Sequence, residues 1–281
     1  MTTRTIARRY RGTPSVDGAG VQLIRTLGYN DVKEIDPFLM LDYFDSTNPA
    51  DYIKGFPWHP HRGIETITYL LSGELEHGDS LGNAGVIEPF GCQWMTAGSG
   101  IIHQEMPVAS DHLWGAQLWL NLPREHKMTT PTYRDITEQY LAIVEDDNIH
   151  VKVIAGQFRE VIGPVKGTYV EPIYLDVQVK PQGEFTFSLP EEDTVILLLL
   201  AGTIELPDGE KQTAGDARAV LLTAGDTVRI RSDQGARFLL MAGKPIKEPI
   251  AWGGPIVMNT REELRQAFDE LDHGTFIRHG A

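Results

Sequence analysis

The run Gly55-Phe56-Pro57-Trp58-His59-Pro60-His61-Arg62-Gly63-Ile64-Glu65-Thr66-Ile67-Thr68-Tyr69-Leu70-Leu71-Ser72-Gly73 decides how the rest of the chain is read. Its second half, 64–71, is dense in β-branched and aromatic residues and is fenced by glycines, which is the pattern of a strand between turns. Its first half holds two histidines at i and i+2, a spacing that puts both side chains on one face of an extended chain. A β-rich fold with a histidine-bearing strand follows.

The same rhythm runs through all 281 residues, where 28 glycines and 17 prolines break the sequence into short apolar runs. Strands are expected over 117–122, 173–179, 184–189, 194–206, 219–223, 227–231 and 237–242, with turns such as Pro207-Asp208-Gly209 and Ala224-Gly225-Asp226 between them. Leu70-Leu71-Ser72-Gly73 has a counterpart in Leu199-Leu200-Ala201-Gly202, on the other side of a polar stretch, 123–149, that ends in Glu145-Asp146-Asp147 and reads as a connection. The weak repeat predicts an all-β fold of two tandem barrels of one kind, 1–135 and 136–281, such as cupin jelly rolls. One amphipathic helix stands near the end: Thr260 and Glu263 form a capping-box pair, Leu264, Ala267, Phe268 and Leu271 share a face, and Gly274 stops it.

Composition narrows the function classes. Hydrophobic residues at 41% and charged ones at 23% allow a sizeable core. A formal charge of −14, from 25 basic and 39 acidic residues, would be repelled by nucleic acid and by an anionic bilayer. The single cysteine, Cys92, has no partner for an intramolecular disulfide, and the basic N-terminus lacks the apolar core of a signal peptide. The longest apolar run, 195–201, is far shorter than a membrane span. A cytoplasmic location is expected, with no direct nucleic-acid or membrane partner.

Seven of nine histidines lie in the first 150 residues, and none lies between 151 and 272. The first barrel therefore holds the imidazoles from which a metal site could be built, the second having only His150 near its start and two near its end. His103 and Glu105 repeat the i, i+2 spacing of His59 and His61 after the turn Ala97-Gly98-Ser99-Gly100. Two such pairs on neighbouring strands would supply three nitrogens and one oxygen, a set that suits iron(II), manganese, nickel, copper or zinc better than magnesium or calcium. An octahedral ion so held keeps two positions open.

The blocks His59-Pro60-His61-Arg62-Gly63-Ile64-Glu65-Thr66 and Gln93-Trp94-Met95-Thr96-Ala97-Gly98-Ser99-Gly100-Ile101-Ile102-His103-Gln104-Glu105-Met106-Pro107 closely resemble the pirin family of bicupins. Asp36-Pro37-Phe38 and Gly254-Pro255-Ile256-Val257-Met258-Asn259-Thr260 extend the likeness over essentially the whole chain. The resemblance implies two cupin barrels with one metal, usually iron, in the N-terminal one, and carries over His59, His61, His103 and Glu105 as its ligands, with Glu65 not a ligand. It also implies one of two roles: a quercetin 2,3-dioxygenase that opens a flavonol or similar aromatic enol with dioxygen, or a metal-containing regulator that binds a transcription factor or metabolic enzyme. In the first role Glu105 is a candidate catalytic base as well as a ligand. Cys92 departs from the family pattern, which commonly has Gly-Asp where this chain has Gly91-Cys92.

Other residues have plainer expectations. His77 and Asp79 read as side chains of a hairpin that are solvated or bond to the turn, Arg62 as an arginine that could pair with a carboxylate behind the ligands but is more commonly exposed, and Arg4, Arg8, Arg9 and Arg11 as a solvated strand face. Trp58, Trp94, Trp114 and Trp119 could line an aromatic cavity but mostly fill core positions. Cys92 is either buried and inert or a redox-sensitive thiol.

Overall fold

The computed structural model describes residues 2–279. The protein is mostly strand, with a C-terminal helix over Arg261–Asp272. None of the described helices is long and apolar enough to cross a membrane.

The histidine-bearing unit comprises Thr13–Val32, Phe38–Gln139 and the chain from Ile246 onward. It has a seven-stranded antiparallel sheet in the order Thr132–Ile136, Cys92–Thr96, Ile64–Ser72, Leu113–Asn121, Phe38–Ser46, Val21–Leu27, Thr13–Asp17. A second sheet of four strands runs Phe56–His61, Ile101–Pro107, Leu75–Asp79, Ala84–Ile87. The strand expected over 64–71 is buried on both faces along almost its whole length, as the central strand of a covered sheet should be. Thr132–Ile136 pairs with Cys92–Thr96, so part of the stretch expected to be a plain connection is an edge strand of this sheet. Ala142–Glu145 within that stretch is a strand too, paired with Ile149–Ala155.

The other unit comprises the chain up to Gly12, Lys33–Pro37 and Tyr140–Pro245. Its core cluster is apolar: Val177, Val195, Leu197, Leu199 and Leu240 pack around the rings of Phe158, Phe185, Phe187 and Phe238. Thr194–Glu205 is its longest strand and pairs with Ala236–Gly243, with a register shift between Leu199 and Ala201. The bend needs Gly202, whose φ is 75° and whose place a Cβ would put 2.2 Å from the Gly235 carbonyl oxygen. Arg4 belongs to this unit and is not on a solvated face. It is 1% exposed and donates to the carbonyl oxygens of Asp193, Thr223, Pro190 and Glu191, because the start of the chain is drawn in where those carbonyls lack strand partners.

Two segments lie with the other half of the chain than the division at 135/136 has them. The strand Ile6–Tyr10 pairs with Ala219–Leu222, and the C-terminal helix packs among Ile256, Met258 and Phe276 of the histidine-bearing unit. The helix begins with the expected capping box: Thr260 Oγ1 accepts from Glu263 N, and Glu263 answers at the Thr260 amide. Ala267 is buried and Leu264 and Leu271 pack against the cluster, while Phe268 at the edge of the stripe stays 38% exposed.

Candidate metal centre

His59 and His61 end the strand Phe56–His61, and His103 and Glu105 lie on the neighbouring strand Ile101–Pro107. On the latter, burial alternates strictly, so Ile101, His103, Glu105 and Pro107 share the interior face. The antiparallel register pairs His103 with His59, and three imidazoles meet with one ligand atom of each within 4.8 Å of the others. The register slips between His103 and Glu105. Glu105 lies at the edge of the cluster, its Oε2 4.0 Å from His103 Nε2.

The ring nitrogens fit a cation. His59 Nδ1 is 2.9 Å from the Pro57 carbonyl oxygen and His61 Nδ1 is 3.0 Å from that of Pro255. A carbonyl only accepts, so both Nδ1 atoms carry the proton and both Nε2 atoms present lone pairs. Those lone pairs face each other across 3.0 Å. With both rings neutral, neither can donate to the other, and the contact is repulsive unless a positive charge stands between them. His103, 1% exposed, has no hydrogen-bond partner at either ring nitrogen. A buried orphan of this kind costs about 1–3 kcal/mol, which a bound metal ion would offset.

Burial, and then the neighbouring His59, push His61 down to about 3, and burial pushes His103 well below the ordinary histidine range. Both are neutral and ready to ligate. The unfolded chain takes up a proton at His61 near pH 6.5 and the folded one only near 3, so stability should be level above 6.5 and fall as pH drops below it. The loss is about 1.4 kcal/mol per pH unit, or roughly 2 kcal/mol from His61 between pH 6.5 and 5, and His103 adds to it in the same direction. Chemical unfolding of metal-free protein at the two pH values measures this; equal stabilities would show that His61 is not buried neutral.

Glu105 is 2% exposed and closely held. Gln117 Nε2 donates to both of its oxygens at 3.0 and 2.9 Å, and Thr68 Oγ1 donates to Oε1 at 3.0 Å. Gln117 Oε1 in turn accepts from Trp119 Nε1, and the Trp119 ring meets His61 edge-on at 5.0 Å. Sequence reading passed over Gln117 and Thr68. Each is a polar side chain on a largely buried strand, and they are register partners on adjacent strands. Glu65 is fully buried too, and accepts from Thr96 Oγ1 at 2.5 Å.

Several expectations need correcting. His77 is not solvated but 5% exposed, opposite Glu105 in the strand register, with its ring 4.8 Å from that of Tyr133 and Nε2 3.3 Å from Asp135 Oδ1. It is buried because the facing residue on the adjacent strand is Gly85, where a Cβ would stand 2.8 Å from Nε2. Arg62 is 2% exposed, not a surface arginine, because the C-terminal segment covers that end of the strand. Of the tryptophans, Trp94 and Trp119 are buried and Trp58 is 55% exposed. Cys92 is buried at the start of its strand, and burial raises its thiol above the ordinary range, so it is inert.

Two jelly-roll barrels, with three convergent imidazoles in one of them, define a cupin that could hold a metal. The chain belongs to the pirin family: the Pirin family model matches residues 20–120 and the Pirin C-terminal cupin domain model matches 174–277. A "Pirin-like protein" of Caulobacter vibrioides is 42% identical over 279 residues, covering 98% of this chain and all of the relative. Human "Pirin" is 36% identical over 255 residues, covering 89% of this chain and 86% of that protein. Among solved structures, a quercetin 2,3-dioxygenase from Acinetobacter baumannii superposes with a TM-score of 0.87 at 29% identity, with 98% of each chain covered.

Proposed function

We propose that this chain is a metal-dependent dioxygenase that opens a flavonol or a related aromatic enol with dioxygen, with one metal in the histidine-bearing barrel. The observation that carries the reading is the pair of bare Nε2 lone pairs 3.0 Å apart beside the orphaned ring of His103. Likeness to the Acinetobacter baumannii quercetin 2,3-dioxygenase supports the choice of substrate class.

His59, His61 and His103 would hold the ion, with Glu105 as an oxygen ligand; the donor set accepts iron(II), manganese, nickel, copper or zinc, and iron is what the pirin resemblance implies. The ion would supply a Lewis-acidic, electron-transferring centre at which a hydroxyketone and dioxygen can meet. Glu105 takes the proton of the incoming 3-hydroxyl group at a carboxylate oxygen. Gln117 and Thr68 keep that carboxylate aimed while it is charged. The buried surround, including Trp119 against His61, keeps bulk water from competing. In balance, one flavonol and one dioxygen give the ring-opened ester and one carbon monoxide.

Oxygen uptake by metal-loaded protein, with a panel of enols and flavonols, tests the reading. Metal-dependent uptake supports it. Absence of turnover across the panel would favour the second reading, a metal-containing protein that binds a transcription factor or metabolic enzyme, to which relatives named pirin without an activity lend weight.

A further inference from the structure

The C-terminal segment packs against the turns that adjoin the two histidine-bearing strands. The Pro255 carbonyl accepts from His61 Nδ1, Val257 N donates to the Arg62 carbonyl at 3.1 Å, and Lys127 Nζ donates to the carbonyls of both Gly63 and Val257 at 2.8 and 2.9 Å. Arg62, next to His61 in the chain, donates through Nε to the Ser99 carbonyl at 2.7 Å and through its terminal nitrogen to that of Phe276 at 2.9 Å. The same guanidinium lies 2.7 Å from Glu270 Oε2 on the C-terminal helix and 4.1 Å from the centre of the Phe276 ring. Two glycines allow the approach: a Cβ at Gly63 would lie 2.1 Å from the Val257 oxygen, and one at Gly100 would lie 2.9 Å from that of Phe276.

From this we infer that residues 254–277 form a clasp over the metal centre, with Arg62 and Glu270 as its latch and Pro255 as the group that orients His61. The inference rests on the metal reading above. A carbonyl on the far nitrogen of a ligating imidazole fixes both its tautomer and its ring angle, and loss of such a partner weakens metal binding by about 10- to 100-fold. If the docked segment favours the metal, the metal must favour docking by the same factor. Arg62 and Glu270 are positioning residues, since neither is placed to touch the ion.

Nickel(II), which holds its oxidation state in air, is the probe. Amide hydrogen exchange of wild-type protein should slow over 254–277 by about 10-fold or more on nickel loading. In Glu270→Gln, transfer of nickel to a chelator at a temperature where the variant is fully folded should speed up about 10-fold. Glu262→Gln, on the exposed side of the same helix, should release nickel at the wild-type rate. A merely structural latch would lower the unfolding temperature of the metal-free variant and leave both nickel readouts unchanged. That result, or exchange over 254–277 indifferent to nickel in the wild type, overturns the clasp while leaving the metal site standing. A wild type that binds no nickel or iron overturns both.

Discussion

His103→Ala abolishes retention of the metal. Total binding free energies of about 10–16 kcal/mol for four-ligand protein sites put one imidazole at roughly 3 kcal/mol, or more than 100-fold in affinity. The remaining groups, His59 and His61 on one strand end and Glu105 at the edge of the cluster, lack the facing strand's imidazole. Metal content after desalting should fall from about one per chain to near zero, and dioxygen uptake with it. The metal-free form responds with the opposite sign in His103→Leu. Both nitrogens of the wild-type ring are buried without partners, so an apolar side chain of similar size removes an unmet polar cost of about 1–3 kcal/mol per group. Metal-free His103→Leu should therefore unfold at higher denaturant than metal-free wild type. Undiminished metal in His103→Ala would place the ion elsewhere.

Glu105→Gln separates ligand from base. The substituted amide can keep its oxygen towards Thr68 Oγ1 and Gln117 Nε2, but it loses the second bond from Gln117, which now donates to Oε2 as well. Its nitrogen then occupies the position of Oε2, on the side of His103. A donor stands where a proton acceptor stood. Metal should persist at reduced affinity through the three imidazoles, while turnover of the metal-loaded variant falls by about 100-fold or more, the range of general-base catalysis. The loss should lie in kcat at saturating flavonol. Wild-type kcat in the loaded variant would leave Glu105 with no part in proton transfer.

What the sequence makes legible is what is local. The i, i+2 pairs at His59/His61 and His103/Glu105, the strand over 173–179 and the Thr260 capping box each need only neighbours a few residues away, and all four stand in the structure. What it hides depends on contacts made across long separations. Arg62 reads as exposed because nothing near it in the chain would cover it, yet it is covered by chain more than 190 residues further on. Arg4 is swallowed by carbonyls nearly as distant. Gln117 and Thr68 show only as polar letters in apolar strands, and their shared partner, Glu105, emerges once the register is known. His77 is hidden by a glycine across the sheet, since no pattern within 75–79 reports what lies opposite.

The stoichiometry of one reaction tests flavonol ring-opening at this centre most directly. Metal-loaded protein, mixed anaerobically with a flavonol and then given dioxygen, should consume one dioxygen and release one carbon monoxide for each flavonol lost, with neither gas exchanged by the metal-free protein. Oxygen consumed without carbon monoxide, or carbon monoxide released at the same rate without metal, would contradict a flavonol ring-opening centre at His59, His61 and His103.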